Sequence, residues 1–252
     1  MKKITVKNIT LNEGLPKIIV PIVDQSKETI LRTFKSYQFK EFDMIEWRID
    51  YYEDILNIEK FTQLIDDIKF LNIHKPILFT YRSIKEGGQA QIEINLLKEI
   101  YKVALEADIF DIYDVELKQE DAKSIIEIIK QKQRIVLLSH HNFEYTPSNE
   151  NILRIFNQMR DLNADILKLA VMPNTKQDVL RLMQFTLDCS QCMEQPLITI
   201  TMGELGKLSR ISGQIYNSCC TFATVDHTSA PGQLNYEVVN DILEQLNHET
   251  FE

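Results

Sequence analysis

Eight short runs rich in β-branched and apolar residues punctuate the chain: KIIVPIV (17–23), DMIEWRI (43–49), PILFTYR (76–82), IFDIYDV (109–115), RIVLLSH (134–140), DILKLAV (165–171), PLITITM (196–202) and TFATVD (221–226). Between them lie segments with apolar residues three and four apart, among them ETILRTFKSY, IEKFTQLIDDIKFL, QIEINLLKEIYKVALEA, DAKSIIEIIKQK, NENILRIFNQMRDL and TKQDVLRLMQFTLDCSQ. The first pattern predicts buried strands and the second amphipathic helices. A repeated strand-helix order across 252 residues, with only 7 glycines and no break in composition, predicts one closed (β/α)8 barrel spanning 1–252, an α/β TIM-barrel fold. No G-x-G-x-x-G follows the first strand, which weakens the open, dinucleotide-binding alternative. Ahead of the first unit, KITVKNITLNEG alternates and turns at Lys7-Asn8, predicting a hairpin that closes the bottom of the barrel.

Alternate side chains of a strand face opposite ways, and in such a barrel chemistry collects at the carboxyl ends of the strands. In DMIEWRID, Ile45, Trp47 and Ile49 share one face, Glu46 and Arg48 the other. With helices covering the outside, the polar face is the inner one. The same parity puts Thr80 and Arg82 on the third strand, Asp114 and Glu116 on the fourth, Ser139 and His141 on the fifth and Lys168 on the sixth. Taken singly, each has an ordinary explanation: a surface histidine, an exposed ion pair, a solvated acid for Glu86 in the following loop, a lysine that reaches water along its own stem. Coincidence does not explain five successive strands turning polar on one parity. Lys168, in the apolar run DILKLAVMP, is the sharpest case, because burying an unpaired charge costs several kcal/mol.

Composition narrows the partners. The formal charge is −9, which disfavours nucleic acid and requires any anionic ligand to be met by a local cationic cluster. No apolar run approaches the ~20 residues of a membrane span, and MKKITVKNIT lacks the apolar centre of a signal peptide, so a cytoplasmic location is expected. Cys189, Cys192, Cys219 and Cys220 include one C-x-x-C but no second spaced pair, which predicts reduced cysteines at packed positions and no metal site.

These residues carry a resemblance. EWRID (46–50), FTYRSIKEGG (79–88), the span from DVEL to SHHNF (114–143), KLAVMP (168–173), MGELGKLSR (202–210) and SAPGQL (229–234) make the chain similar, nearly end to end, to the type I 3-dehydroquinate dehydratases. The resemblance implies a hydro-lyase of the shikimate pathway and aromatic amino acid biosynthesis. It would convert 3-dehydroquinate to 3-dehydroshikimate and water through a lysine Schiff base, as a homodimer without cofactor or metal. Lys168 matches the Schiff-base lysine, His141 the general acid/base and Glu86 the acid that orients and tunes that histidine. Glu46, Arg48, Arg82, Arg210, Ser229 and Gln233 match substrate-binding positions, while His140 falls at a variable one. Pro21 departs from the pattern: some members place a substrate-contacting serine there, and a proline offers neither hydroxyl nor N–H.

The chemistry is consistent with those residue types. A carboxylate calls for a guanidinium fork, for which Arg210 is the first choice, and ring hydroxyls call for the remaining acids, arginines and amide. A ketone calls for an amine kept from being permanently charged, which burial beside Arg48 and Arg82 would favour. An imidazole of ordinary pKa ~6.5 moves protons both ways at neutral pH. HTSAPGQL (227–234) is expected to be a lid that excludes water from the imine. Two other readings stay open on the residues alone: a class I aldolase with a phosphate cradle at Gly203 and Gly206, and a catalytically dead barrel that binds a carboxylated metabolite.

Overall fold

The computed structural model describes residues 1–226 and 228–247. A hairpin comes first, β1 (Ile4–Val6) and β2 (Ile9–Leu11), turning through Lys7 at φ 49°. The barrel follows as β3 (Lys17–Ile22), α1 (Lys27–Tyr37), β4 (Met44–Arg48), α2 (Ile58–Phe70), β5 (Ile77–Thr80), α3 (Ile94–Ala107), β6 (Ile112–Glu116) and α4 (Ala122–Gln131). It continues with β7 (Ile135–Asn142), α5 (Asn149–Asp161), β8 (Ile166–Val171), α6 (Lys176–Ser190), β9 (Leu197–Thr201), the four-residue helices α7 (Lys207–Arg210) and α8 (Gly213–Tyr216), β10 (Cys220–Phe222) and α9 (Tyr236–Gln245). β3 to β9 pair in parallel in chain order, and β10 pairs with β3. A bridge between Leu197 and Ser218, with Cys219 N–H donating to Leu197 O at 2.8 Å, brings β9 against the start of β10 and nearly closes the circle. This is an α/β TIM barrel.

Each of the eight apolar runs carries a strand, and each of the six quoted helical segments carries a helix. Their starts are chemically marked. Ser26, Asn57, Ser148 and Thr175 cap α1, α2, α5 and α6, with Thr175 and Asp178 forming a reciprocal capping box. The structure adds α9 on YEVVNDILEQ, capped by Asn235, and places the short helices α7 and α8 between β9 and β10.

Strand parity separates two apolar layers. Ile45, Trp47, Leu167, Leu169 and Val171 pack outward against the helices, while Met44, Leu78, Ile112, Leu137, Ile166 and Ala170 fill the barrel interior. Val6, Ile9 and Leu11 of the hairpin join that inner layer, so the hairpin closes the end remote from the strand carboxyl termini. A repeated device finishes the same end. Asp43, Asp111 and Asp165, just ahead of β4, β6 and β8, accept hydrogen bonds from the backbone N–H of Ile18, Ile77 and Val136 at 2.7, 2.9 and 2.8 Å. Each carboxylate thus satisfies an amide near the start of the preceding strand, where the ladder offers no partner.

Cys189, Cys219 and Cys220 are buried and unpaired, as expected, but Cys192 is exposed at the end of α6, where the helix has run out of barrel to pack on. Among the described residues no helix is long and apolar enough to cross a membrane.

The outer layer is densest around Trp47, fully buried, stacked on Phe61 and Phe110 and met edge-on by Phe79. Phe79 in turn touches Tyr101, Phe110 and Tyr113. Phe79→Ala is expected to cost about 3–5 kcal/mol, read as a lower urea midpoint at unchanged slope. A loss below about 1 kcal/mol would show that this cluster does not bear the packing assigned to it.

Candidate active site

A cavity opens at the carboxyl ends of the strands. All nine residues singled out from the sequence line it: Glu46 and Arg48 on β4, Arg82 and Glu86 after β5, His141 on β7, Lys168 on β8, Arg210 on α7, and Ser229 and Gln233 in the loop after β10. Phe143, Met202 and Phe222 supply apolar wall beside these polar groups.

Arg82 organises one side. Its Nη2 donates to Asp114 Oδ2 at 2.7 Å, and its Nη1 donates to Ser139 Oγ at 2.7 Å and Glu116 Oε1 at 3.3 Å. Glu86 Oε2 lies 3.6 Å from Nη1. Burial alone would loosen the guanidinium's proton, but the surrounding carboxylates, Asp114 foremost, outweigh it and raise the pKa. The same balance holds Asp114 ionised: burial opposes its charge, and Arg82, Lys168 and the Ser139 hydroxyl overcome that. Glu116 has less support, and burial pushes its pKa up. Arg48 is paired locally, its Nε and Nη2 each 2.8 Å from an oxygen of Asp50.

Lys168 is 4 % exposed, with Ile166 and Ala170 on its inward face as the parity predicts. Its Nζ donates to Asp114 Oδ2 at 3.2 Å, lies 4.0 Å from Glu46 Oε1, and sits 4.2 Å from the centroid of the Phe222 ring. The expectation that guanidinium groups flank the amine needs correction, since Asp114 is interposed. One carboxylate oxygen is shared by Lys168 and Arg82, so each cation is screened from the other. Sequence parity placed Asp114 on the inner face without a role. Asp50 is not reached by counting along the strand, because β4 ends at Arg48 and Asp50 lies in the turn Ile49–Tyr51 that follows.

Arg210 is the contrast. It is 1 % exposed, yet no carboxylate among the described residues pairs with it. Nη1 and Nη2 donate to the backbone oxygens of Phe222 and Pro231 at 3.3 and 2.9 Å, and Nε has no partner. Burial lowers its pKa to about 10, which leaves it charged at neutral pH. The loop containing Pro231 is tied down from both sides: Gly203 N–H donates to Pro231 O at 3.1 Å, and Gly232, at φ 78°, faces Gly203 so closely that a Cβ would collide with its backbone. Within the loop, Ser229 N–H donates to Gln233 Oε1 at 2.7 Å and Gln233 Nε2 to Ser229 Oγ at 3.0 Å. His227, the first residue of HTSAPGQL, lies outside the described residues. Pro21 points into the barrel beside Glu46 but does not line the cavity.

Glu86 ends a short turn that Gly87 closes at φ 88°, where a side chain would meet the Phe143 ring. Its Oε2 accepts from His141 Nδ1 at 2.9 Å and from the His141 backbone N–H at 3.2 Å; its Oε1 lies 3.0 Å from His140 Nδ1. Burial would raise the Glu86 pKa, but bonds from His140 and His141 together with Arg82 hold it well below the usual carboxylate range. An ionised carboxylate only accepts, so both Nδ1 atoms carry the hydrogen. Burial, then the Arg82 charge, lowers the His141 pKa to about 3 against the pull of Glu86. His141 is therefore neutral, with Nε2 as its free basic nitrogen. This replaces the expectation of a histidine near its ordinary value.

The sign of the pH effect follows. Between about 6.5 and 3 the unfolded chain binds a proton at this residue and the folded chain does not, so His141 costs stability as pH falls through that window and nothing above it. An NMR titration from about pH 8 to about pH 5 should show the His141 ring nitrogens unchanged. A midpoint near 6.5 would contradict this geometry.

A family model described as "Type I 3-dehydroquinase" matches residues 18–250. A 3-dehydroquinate dehydratase of Listeria welshimeri is 35% identical over 98% of this chain and 99% of its own. The crystal structure of the type I 3-dehydroquinate dehydratase of Clostridium difficile with covalently modified comenic acid superposes with a TM-score of 0.92 at 35% identity, covering 98% of each chain. The structure of 3-dehydroquinate dehydratase from Geobacillus kaustophilus superposes with a TM-score of 0.94 at 31% identity, covering 99% of this chain and 98% of that one. Barrel, cavity and relatives converge, and this chain belongs to the type I 3-dehydroquinase family.

Proposed function

We propose that the protein is a 3-dehydroquinate dehydratase that works through a Schiff base on Lys168, with His141 as general acid and base. The observation that carries this reading is the pairing, in one cavity, of a buried primary amine with a buried guanidinium that has no anionic partner among the described residues. An uncompensated buried charge is costly enough to need a reason. A substrate carboxylate on Arg210 would provide it, and a ketone on the same molecule would reach Lys168.

Nζ passes a proton to His141 Nε2, the freed amine adds to the ketone, and the protonated histidine returns the proton as water leaves the carbinolamine to give the iminium. That species keeps a positive charge at Nζ, so Asp114, Glu46 and the Phe222 ring face, which accommodate a cation there already, serve it unchanged. The iminium acidifies the neighbouring carbon. His141 Nε2 takes that proton, the resulting enamine expels the β-hydroxyl, and the protonated histidine returns the proton so that water departs. Hydrolysis of the conjugated iminium releases the enone and regenerates the lysine. Glu86 holds the His141 tautomer throughout and becomes its counter-ion when it is charged. Glu46, Arg48, Arg82, Ser229 and Gln233 take the ring hydroxyls, and the loop around Pro231, held by Gly203 and Arg210, covers the bound ring. This reading carries the cytoplasmic homodimer without cofactor or metal that the resemblance implies.

An aldolase acting on sugar phosphates fits less well. The amides it would use at the glycines after β9 are engaged, Gly203 N–H with Pro231 O and Gly206 N–H with Gly203 O.

The test is absorbance of the conjugated enone on adding 3-dehydroquinate. Wild-type protein should form it; Lys168→Ala should not, and His141→Ala should be slower by about 10²–10⁴-fold. Arg210→Ala should lose about 2–5 kcal/mol of transition-state binding, on the order of 30- to 5000-fold in kcat/KM. Enone formation by Lys168→Ala at the wild-type rate would end the Schiff-base reading.

A further inference from the structure

Glu86 holds two imidazoles, and the mechanism above uses one. His140 sits on the outward parity of β7 between Ser139 and His141, is 5 % exposed, and does not line the cavity. Its Nδ1 nevertheless lies 3.0 Å from Glu86 Oε1. The division between the two oxygens is clean. Oε2 takes the ring and backbone N–H of His141 and faces Arg82, whereas His140 is the hydrogen-bond partner recorded at Oε1. The terminal torsion of a glutamate is broad and roughly two-fold, so a carboxylate held through one oxygen is free to rock about its own axis. Held through both, it presents a fixed lone pair to the His141 ring.

We propose that His140 is a positioning residue for the reaction. By donating from Nδ1 to Oε1 it locks the plane of the Glu86 carboxylate, so that Oε2 fixes the ring of His141 with Nε2 presented to the substrate. This rests on the role given above to Glu86 and His141, and extends it to a side chain that touches neither cavity nor ligand. His140 acts through one hydrogen bond, so an amide of the right reach should replace it. The Nδ2–H of an asparagine stands close to where the imidazole Nδ1–H does.

The experiment is steady-state kinetics with 3-dehydroquinate on wild type, His140→Phe, which keeps the ring without the donor, His140→Asn, which keeps the donor without the ring, Glu86→Ala, and Glu86→Ala combined with His140→Phe. The expected result is a fall in kcat on the order of tenfold for His140→Phe, as for loss of a hydrogen bond to a charged group, with KM within about a factor of two. His140→Asn should recover most of the loss. In the Glu86→Ala background His140→Phe should add nothing, because its route of action is already gone. A wild-type kcat for His140→Phe, no rescue by His140→Asn, or an equal further loss in the Glu86→Ala background would each overturn the proposal while leaving the Glu86 reading intact. A wild-type kcat for Glu86→Ala would overturn both.

Discussion

The buried guanidinium of Arg82 is the constraint on which the rest of the site depends. A charge 3 % exposed is costly unless its hydrogen bonds are met by groups that neutralise it. Arg82 finds them on the next two strands of the sheet, Asp114 and Glu116 on β6 and Ser139 on β7, and in its own following turn at Glu86. Those contacts fix two other things. Asp114 is left with its Oδ2 also on Lys168, and Glu86 is held where His141 can use it. Lys168 and His141 are each one carboxylate removed from the same cation.

Arg82 and Arg210 show how one residue type takes two roles by environment. Arg82 is surrounded by carboxylates and its pKa is raised; Arg210 meets, among the described residues, only backbone carbonyls, and its pKa falls to about 10. The first is internally neutralised and so builds the site. The second carries a charge without an anionic partner among the described residues, and on that the proposed substrate carboxylate rests. Neither difference is visible in the residue names. Both follow from which elements surround the side chain: strands with acids on their inner parity in one case, the short α7 and a proline-glycine loop in the other.

Much of this was legible beforehand because a strand has a period of two. Glu46, Arg48, Thr80, Arg82, Ser139, His141 and Lys168 could be assigned to the barrel interior by counting alone, and Ile166 and Ala170 lie on the lysine's side as that count requires. What counting could not supply was partnership across strands. The sharing of Asp114 between Lys168 and Arg82 depends on side-chain reach in three dimensions, and so the expected guanidinium neighbours of the amine were replaced by a carboxylate. His140 was invisible for the opposite reason: its parity points outward, and only the turn closed by Gly87 brings Glu86 round to meet it. The short helices α7 and α8 escaped because four-residue segments carry too little periodicity to read.

The central claim is that the cation accommodated at Nζ of Lys168 by Asp114, Glu46 and Phe222 becomes a covalent iminium during turnover. Sodium borohydride added with 3-dehydroquinate, followed by mass spectrometry of the peptide containing Lys168, measures this directly. The account predicts a reduced adduct on Lys168 that requires substrate and is accompanied by loss of activity. An unmodified Lys168 peptide from protein that is still converting 3-dehydroquinate to the enone would contradict it.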